Sequence, residues 1–560
     1  AVWMSLQVDL QGNYTIERFN RLSDYSQRVS VKRLVFISLV TPLPCIVLSI
    51  LKEVPPLKPI EAGVVENWVF FIRAWIVSAI VGGSIPVMVH QDIPRLTMTA
   101  PQVVFVALLG GAVAMILIGV ACAFTFFPWP FGVLIVGLPL MCVEAFCHIR
   151  LVDHQLQVDG ALWTDIKSAL ASIHCLVWLT FIYPLYIYGF VSLSGTGQVL
   201  FVAVLPIMKL IAKNWMNFTL SGRDEIKPEM IVFVVEVFNS LYISSALQST
   251  SSWASTATVM ASDLAGFWVS MVDITEALSE ITRLMKKIPR RHPLAKESFV
   301  QIAGIILAAN KAIRNNQNTG RAFSDSLKNT KKQRSTNKPP LKAGPTIACI
   351  YPEVKTAQAT YIHTETPKRK LFQGSPVVPV FVPRNQGGEA KKTEKSNTAT
   401  TMTNPDIVAI FSREERTLFI HKSMHVLFIT EYVILFEYIE VMMPLVYCLF
   451  RVALFHLPNR IYFSTMAGLS SSQLLSSTLT VLAYSSLEFV SFVIAVAVMK
   501  GALGFNPLRQ LAFVLDTQAG RIQTKLIVIL LYVTQMPLAH LGADFSFKFA
   551  WIPGNQTTNS

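Results

Sequence analysis

Four ionisable residues lie inside long apolar stretches of this sequence, where a charged side chain is costly. They are Glu488, Asp263, Arg73 and Arg451. At the centre of a membrane-spanning helix such a residue costs about 2.5–3.5 kcal/mol, so it has to face other protein groups or water. Glu488 and Asp263 sit near the middle of their stretches, and the arginines lie toward the ends. The pattern predicts either a structural ion pair between a carboxylate and an arginine, or an acidic site on the path of a substrate or an ion.

Five further glutamates in apolar stretches are predicted to lie near a membrane edge. They are Glu144, Glu236, Glu431, Glu437 and Glu440. At about 100° per residue, Glu431 and Glu440 fall on opposite faces of a helix, so they do not form one site. Glu144 and Glu236 are close to the cytosolic ends of their stretches, and we expect them to snorkel toward the headgroups.

Signatures of enzymes are not found in the sequence. The chain has no phosphate-binding loop, no His-Glu-x-x-His, no Gly-x-Ser-x-Gly and no dinucleotide fingerprint. His540 and Asp544 are four residues apart, but two ligands do not make a metal site. We therefore expect a protein that is not an enzyme, with no catalytic residues, no metal and no cofactor.

The elements that carry these residues are apolar runs long enough to cross a bilayer. The chain is 52% hydrophobic and only 15% charged, with a mean hydropathy of +0.47. A hydrocarbon core of about 30 Å needs roughly twenty helical residues. The candidate runs are 34–51, 68–90, 102–127, 131–149, 170–193, 199–213, 230–250, 254–273, 424–456, 475–499 and 525–543. The sequence predicts an all-α, polytopic transmembrane bundle of nine to eleven spans.

The distribution of basic residues predicts the orientation. Five arginines and lysines precede the first run, and the loop after it has no cationic excess. The positive-inside rule then puts the N-terminus and residues 274–423 in the cytosol. Which membrane holds the protein is not indicated by the sequence.

Residues 315–405 differ in composition from the rest of the chain. Asparagine, lysine, threonine, proline and glutamine dominate, which predicts a disordered cytosolic loop. Between Lys311 and Lys395 there are seventeen basic residues against five acidic ones, an excess of twelve out of the net +14. Besides the lipid bilayer itself, the predicted partner is its anionic headgroups, at about 1 kcal/mol per basic residue near the surface. Nucleic acid is not expected, because no aromatic-interleaved motif accompanies the charge.

A basic segment just after the eighth run is a second candidate for contact with acidic lipid. Its residues are Arg283, Lys286, Lys287, Arg290, Arg291 and Lys296. The alternative is ordinary flanking charge on the cytosolic side. The apolar run Phe299–Ala309 follows, and it is too short to span.

Two local patterns predict backbone features. Ser412-Arg-Glu-Glu415 has the form of a capping box, and a helical period runs from there to about His456. Such a helix is longer than a bilayer is thick, so its first half is expected to project into the cytosol. Gly82-Gly83-Ser84-Ile85-Pro86 is the best candidate for an unwound segment of a broken helix.

These features divide the chain into six segments. They are a cytosolic N-terminal segment (1–33), an N-terminal membrane block of about eight spans (34–273), a basic juxtamembrane segment (274–314), the disordered basic loop (315–405), a C-terminal membrane block of about three spans (406–543) and a short tail (544–560).

Four stretches show a resemblance to a known family. They are YSQRVSVKRLVFISLVTPLPC (Tyr25–Cys45), HLPNRIYFSTMAGL (His456–Leu469), NPLRQLAFVLDTQAGRIQTKL (Asn506–Leu526) and AHLGADFSFKFAWI (Ala539–Ile552). They resemble a large family of multi-pass transmembrane proteins of oomycetes, which has no assigned activity. The resemblance implies membrane residence and a shared architecture, and it assigns no catalytic or binding residues to this chain.

Two functional hypotheses follow. The first is a non-enzymatic membrane scaffold or receptor-like protein whose basic loop contacts lipid. The alternative is a transporter or channel with an intramembrane acidic site. A water-filled path to Glu488 favours the second hypothesis, and a Glu488 sealed against an arginine favours the first.

Overall fold

The structure of the protein is a computed structural model. The residues that it describes are 7–193, 196–249, 253–310, 410–544, 549 and 551–552. Within these ranges it does not describe the side chains of Asp9, Val133, Val199, Ser249, residues 253–256, Val259, Ser262, Asp263, Lys296 and Leu503. The described residues up to 308 and from 410 onward form one compact unit. The predicted loop 315–405 lies outside the described residues, so its disorder and its lipid contacts stay predictions.

The regular elements of the described residues are helices. In chain order they are α1 (Ile16–Arg28), α2 (Val31–Val40), α3 (Leu43–Leu51), α4 (Gly63–Glu66), α5 (Trp68–Asp92), α6 (Ala100–Phe124), α7 (Gly132–Val158), α8 (Leu162–Ser192), α9 (Thr196–Phe201), α10 (Val204–Thr219), α11 (Lys227–Ile231), α12 (Val237–Ser249), α13 (Trp253–Met285), α14 (Phe299–Asn310), α15 (Arg413–Phe455), α16 (Ser471–Leu503), α17 (Pro507–Thr517) and α18 (Ala519–Gln535). A π-helical turn, Val232–Glu236, joins α11 to α12. We call this continuous element, residues 227–249, the core helix.

Eight helical segments of the described chain are long and apolar enough to cross a membrane. They are α2 with α3, α5, α6, α7, α8, the core helix, α15 and α16. The structure therefore confirms an all-α, multi-pass bundle. The predicted runs 199–213 and 525–543 form shorter helices, since α10 has 16 residues and α18 has 17.

The core helix lies at the centre of the bundle. In an apolar window of 18 residues within Lys227–Gln248, 94% of the residues are buried, against 22% in the corresponding window of Leu134–Val158 in α7. Helices α8, α10, α15, α16 and α18 pack around it. A helix shielded from lipid in this way can carry polar side chains, because they face protein or water rather than hydrocarbon.

Helix α15 begins and ends where the sequence predicts. Ser412 accepts a hydrogen bond from the backbone N–H of Glu415, and the Glu415 side chain caps Ser412 in return. The helix then runs for 43 residues to Phe455, about 65 Å. That length exceeds the bilayer by a factor of about two, so a large part of α15 extends beyond the spans.

Register between α15 and α2 shows where the extension begins. The Tyr438 hydroxyl donates to the carbonyl oxygen of Ser38 at 2.7 Å. Counting seven residues back along both helices puts Glu431 level with Val31, the start of the first span. The first 18 residues of α15 therefore project about 27 Å beyond that level. We call this end of the bundle the N-terminal face, and the other end the opposite face.

The segment from Gly82 to Pro86 is not unwound, and that prediction was wrong. It lies inside the continuous helix α5. A Cβ atom at Gly82 would overlap the carboxyl group of Glu144, and one at Gly83 would lie 2.8 Å from the Cβ of Ala107. The glycines are therefore places where α6 and α7 approach the α5 backbone closely.

Candidate functional site

A cluster of opposite charges lies at the π-helical turn of the core helix. Lys209 and Lys213 of α10 place their Nζ atoms 2.8 Å and 2.6 Å from the carboxyl group of Glu236. Lys209 is also 3.5 Å from Glu440 of α15. Both ammonium groups lie over the ring of Phe436, at 4.4 Å and 5.0 Å from its centroid. We call Lys209, Lys213, Glu236 and Glu440 the charge cluster.

Local sequence explains how the charge cluster forms. Lys209 and Lys213 are four residues apart, so they share one face of α10. Glu236 is the last residue of the π-helical turn. Such turns are rare in proteins, and those that occur are often found at functional sites. Glu236 is fully buried against the two lysines, so the prediction that it snorkels was wrong. The signal that the sequence analysis missed is the lysine pair within the weak apolar run 199–213.

Beyond the charge cluster, the core helix carries buried polar atoms for which the described part of the chain supplies no hydrogen-bond partner. Asn239, Ser240 and Tyr242 are buried, and Asn239 Oδ1, Ser240 Oγ and the Tyr242 hydroxyl have no hydrogen-bond partner among the described residues. An unsatisfied buried polar group costs about 1–3 kcal/mol. Groups of this kind ordinarily bind ordered water or a ligand.

Aromatic rings connect this polar strip to α8. Tyr183 stacks on Tyr242 with 5.1 Å between ring centroids and on Phe238 with 5.9 Å. Its buried hydroxyl also has no partner in the described part of the chain. The charges of Glu236 and Lys209 act on that hydroxyl. Tyr183 and Tyr242 thus extend the charge cluster toward the opposite face.

A cavity of about 260 Å³ lies at that end of the strip. We call it the outer cavity. Its lining residues include Tyr242 and Ser245 of the core helix, and Tyr447 and Arg451 of α15. The turn after α15 adds Ser464 and Thr465, helix α18 adds Thr534, and the chain after α18 adds Asp544. The cavity therefore combines hydroxyl groups and aromatic rings with one basic and one acidic residue.

Arg451, a predicted site residue, is buried in the wall of the outer cavity. Its Nη1 donates to Ser477 Oγ at 3.4 Å, and its Nη2 lies 3.5 Å from the sulfur of Met466. The guanidinium is also 6.0 Å from the ring centroid of Tyr447. Nε has no partner within the described residues.

Arg73, the other predicted arginine, belongs to a separate ion pair near the opposite face. Its Nη2 lies 2.5 Å from Glu53, which also contacts Lys52 at 2.6 Å, and all three side chains are buried. Asn459 binds the carbonyl oxygen of Glu53 at 2.8 Å. Burial lowers the pKa of Lys52 to about 8, although Glu53 opposes the shift.

Glu488 is not brought to Arg451. Glu488 is buried in α16 and has interactions of its own. Ser477, which binds Arg451, precedes Glu488 by eleven residues, or about 16 Å along α16. The side chain of Asp263 lies outside the described residues. The residues lining the outer cavity do not include Glu488.

Glu144 is buried rather than snorkelling, which corrects the second of those predictions. Its carboxyl group fits against Gly82 and Gly110, and Oε1 has no hydrogen-bond partner in the described chain. The small glycines leave room for the carboxyl group between α5, α6 and α7.

The basic segment after α13 lies on the surface of the extension. Arg283, Lys286, Lys287, Arg290 and Arg291 are exposed, and the side chain of Lys296 lies outside the described residues. Lys287 forms an ion pair with Glu415. Glu415 precedes Glu431 by sixteen residues, about 24 Å along α15. Contact between this segment and lipid headgroups stays a prediction. It requires the segment to bridge the distance from Glu415 to the level of Glu431.

Buried polar contacts hold the N-terminal segment against α15. Arg18 Nη2 lies 2.6 Å from Glu431, and Tyr14 donates its hydroxyl to the same carboxyl group. Gln510 of α17 donates to the Tyr14 oxygen at 2.6 Å. Burial, with the charge of Glu431, raises the pKa of Tyr14 well above its usual value, so the phenol stays a donor.

His540, which with Asp544 was not expected to form a metal site, lies near the ion pair of Arg73 and Glu53. Its Nε2 is 2.8 Å from the carbonyl oxygen of Lys58 and 3.2 Å from Asn67 Oδ1. Nε2 therefore carries the proton and donates it. Nδ1 is buried without a partner in the described structure, and burial lowers the pKa of the imidazole.

Comparisons with protein-family models, with curated proteins and with solved structures found no significant match. The resemblance to the oomycete membrane proteins therefore stays a prediction.

Proposed function

We propose that the protein is a transporter that moves a small polar solute along the core helix. The observation that carries the proposal is that this helix is enclosed by protein and yet bears buried polar groups without partners in the described chain. A purely structural helix at this position gains nothing from Asn239 and Ser240, since each costs free energy when unsatisfied. A path for a polar solute requires such groups.

The charge cluster supplies the second requirement of a transporter, a site that responds to its occupant. Two lysines and two glutamates in contact are close to neutral together. Entry of a charged solute or loss of a proton breaks that balance, and in a low-dielectric site an unbalanced charge is costly. The cost is relieved when the helices carrying the charges move apart or together. Helices α10, α15 and the core helix are the elements involved.

The orientation belongs to the same proposal. With the N-terminal face in the cytosol, as the basic residues before Val31 predict, the outer cavity opens away from the cytosol. The solute is then taken from the far side of the membrane in the conformation described. Protease or antibody access to a tag before Gln7 in sealed vesicles tests this orientation.

The scaffold hypothesis remains the alternative. Its support is the cationic excess of the loop 315–405, which lies outside the described residues. Binding of the protein to anionic vesicles that weakens steeply with salt supports this lipid contact. Such binding does not explain the unsatisfied polar groups of the core helix, which is why we favour transport.

The transport test uses purified protein in vesicles on a solid-supported membrane. Concentration jumps of small anions, cations and zwitterions are expected to give a current for at least one class. The double variant Lys213→Met with Glu236→Gln removes one charge of each sign and is expected to abolish it. The control is Arg95→Gln, which removes an exposed charge at the N-terminal face and is expected to preserve the current. Absence of a current with all three classes contradicts the proposal.

A further inference from the structure

The wall of the outer cavity contains a buried cation, Arg451, and within the described part of the chain no carboxylate contacts it. Arg451 is 5% exposed, and its described contacts are Ser477, Met466 and the Tyr447 ring. Both polar contacts are long, and one acceptor is a thioether sulfur, which is a weak acceptor. A buried charge without an opposite charge is costly.

Three other buried cations each contact a carboxylate. Arg18 lies 2.6 Å from Glu431, Arg73 lies 2.5 Å from Glu53, and Lys525 lies 2.5 Å from Glu229. These three contribute to fixed ion pairs. Arg451 differs because it lines a cavity and has no carboxylate among its described contacts. Its Nε also lacks a partner within the described residues, as do N–H groups of Arg18 and Arg73. This arrangement favours an anion that enters from outside.

The size and lining of the cavity limit the anion. About 260 Å³ is space for several water molecules, so a ligand of a few non-hydrogen atoms fits. Tyr242, Tyr447 and Phe463 give the wall aromatic surface, and Ser245 and Thr534 add hydroxyl groups. A guanidinium binds a carboxylate through two parallel hydrogen bonds. A small organic acid therefore matches the cavity in volume, charge and donor geometry.

We propose that the outer cavity binds a small organic carboxylate, with Arg451 as its anchor. The inference rests on the proposed transport function and names the substrate class of the same path. Asp544, which also lines the cavity, accepts a hydrogen bond from the backbone N–H of Phe549 at 2.9 Å. Its charge disfavours a second carboxylate on the ligand and tolerates an amino group. The ligand is thus a monocarboxylate or a zwitterionic amino acid, and both share the group that Arg451 binds.

Saturation-transfer NMR on the full chain in nanodiscs tests this binding directly. Propionate and alanine are the probes, and propionamide is the uncharged control of the same size. Binding is expected for propionate, for alanine or for both, and not for propionamide. Arg451→Gln is expected to weaken it about 10- to 100-fold, the usual effect of losing a hydrogen bond to a charged group. If alanine binds and propionate does not, the site is specific for a zwitterion. If both bind, the site recognises the carboxylate alone.

Two further variants separate binding from folding. Arg460→Gln removes an arginine near the opposite face that does not line the cavity, and it is expected to leave binding unchanged. Ser464→Trp places an indole at an exposed position of the rim and is expected to abolish binding at an unaltered unfolding temperature. Equal binding of propionamide, no binding of either acid, or binding that survives Ser464→Trp and Arg451→Gln overturns the proposal.

The binding assay does not depend on transport. If neither acid binds but another class of solute gives a current, the carboxylate is excluded as the substrate and the transport function is retained. Binding anchored on Arg451 without any current retains the site and removes transport.

Discussion

Arg18 and Glu431 are 413 residues apart in the sequence and 2.6 Å apart in the fold, with both side chains buried. The pair fixes the N-terminal segment to the point on α15 that is level with the start of the first span. Tyr14 and Gln510 complete the contact. The N-terminal segment is therefore packed against α15 and α17 as part of the folded protein.

Glu431→Gln is expected to destabilise the protein, because it leaves the Arg18 charge buried without its partner. Loss of one partner of a buried pair costs about 3–5 kcal/mol. Adding Arg18→Met in the same chain is expected to recover part of that loss. The control is Arg33→Gln, because Arg33 is exposed in its pair with the half-buried Asp516 and a pair at the surface is worth about 0–1 kcal/mol. Thermal unfolding in detergent measures all three, and equal midpoints for Glu431→Gln and Arg33→Gln contradict the account.

Gly82→Ala is expected to lower the unfolding temperature, since the new methyl group collides with the Glu144 carboxyl group. Shortening that residue as well, in Gly82→Ala with Glu144→Ala, makes room and is expected to restore part of the stability. Gly137→Ala is the matched control on α7, where an added Cβ meets nothing within 4 Å. A helical Gly→Ala change without a clash is neutral or stabilising. If Gly82→Ala behaves like Gly137→Ala, Glu144 does not occupy this position.

Stability is expected to fall as the pH drops from 7 to 5, with a contribution from His540. Burial lowers the pKa of His540 in the folded protein below its unfolded value of about 6.5. The unfolded chain then binds more protons, so stability is complete above pH 6.5 and is lost as the pH falls toward the folded pKa. His540→Gln should flatten this part of the profile of unfolding temperature against pH. His421→Gln removes an exposed histidine and should leave the slope unchanged.

Within the charge cluster, Lys213→Met is expected to be milder than Glu236→Leu. After the lysine is removed, Glu236 keeps Lys209 at 2.8 Å. After the glutamate is removed, two lysines remain with Glu440 at 3.5 Å from one of them. Unfolding temperatures of the two variants compare these costs. A larger loss for Lys213→Met shows that Glu236 is not the centre of the cluster.

The sequence was sufficient for the membrane class, because length and apolarity alone decide which helices cross a bilayer. The sequence also located α15. The capping box at Ser412 marks its start and Pro458 follows its end, and both signals act within a few residues of the helix termini. Local signals of this kind do not depend on the tertiary fold.

The site was largely missed because it depends on which helices become neighbours. Glu236 looked like a membrane-edge charge until α10 brought Lys209 and Lys213 against it. Arg73 looked available for Glu488 until Glu53 proved to be its partner. Glycines at 82 and 83 looked like a break and instead admit close neighbours. Pairings between residues far apart in sequence cannot be read from one chain's local pattern.

Thiol labelling at Ser240 tests the central claim, a polar path along the core helix, most directly. Ser240→Cys, in a chain whose seven cysteines are replaced, is treated in sealed vesicles with a charged, membrane-impermeant thiol reagent. Leu138→Cys is the control, because Leu138 is 71% exposed on the outer surface of α7, where hydrocarbon excludes the reagent. The account predicts that Ser240→Cys reacts and Leu138→Cys does not. A Ser240→Cys that stays unlabelled from both sides of the membrane contradicts the path.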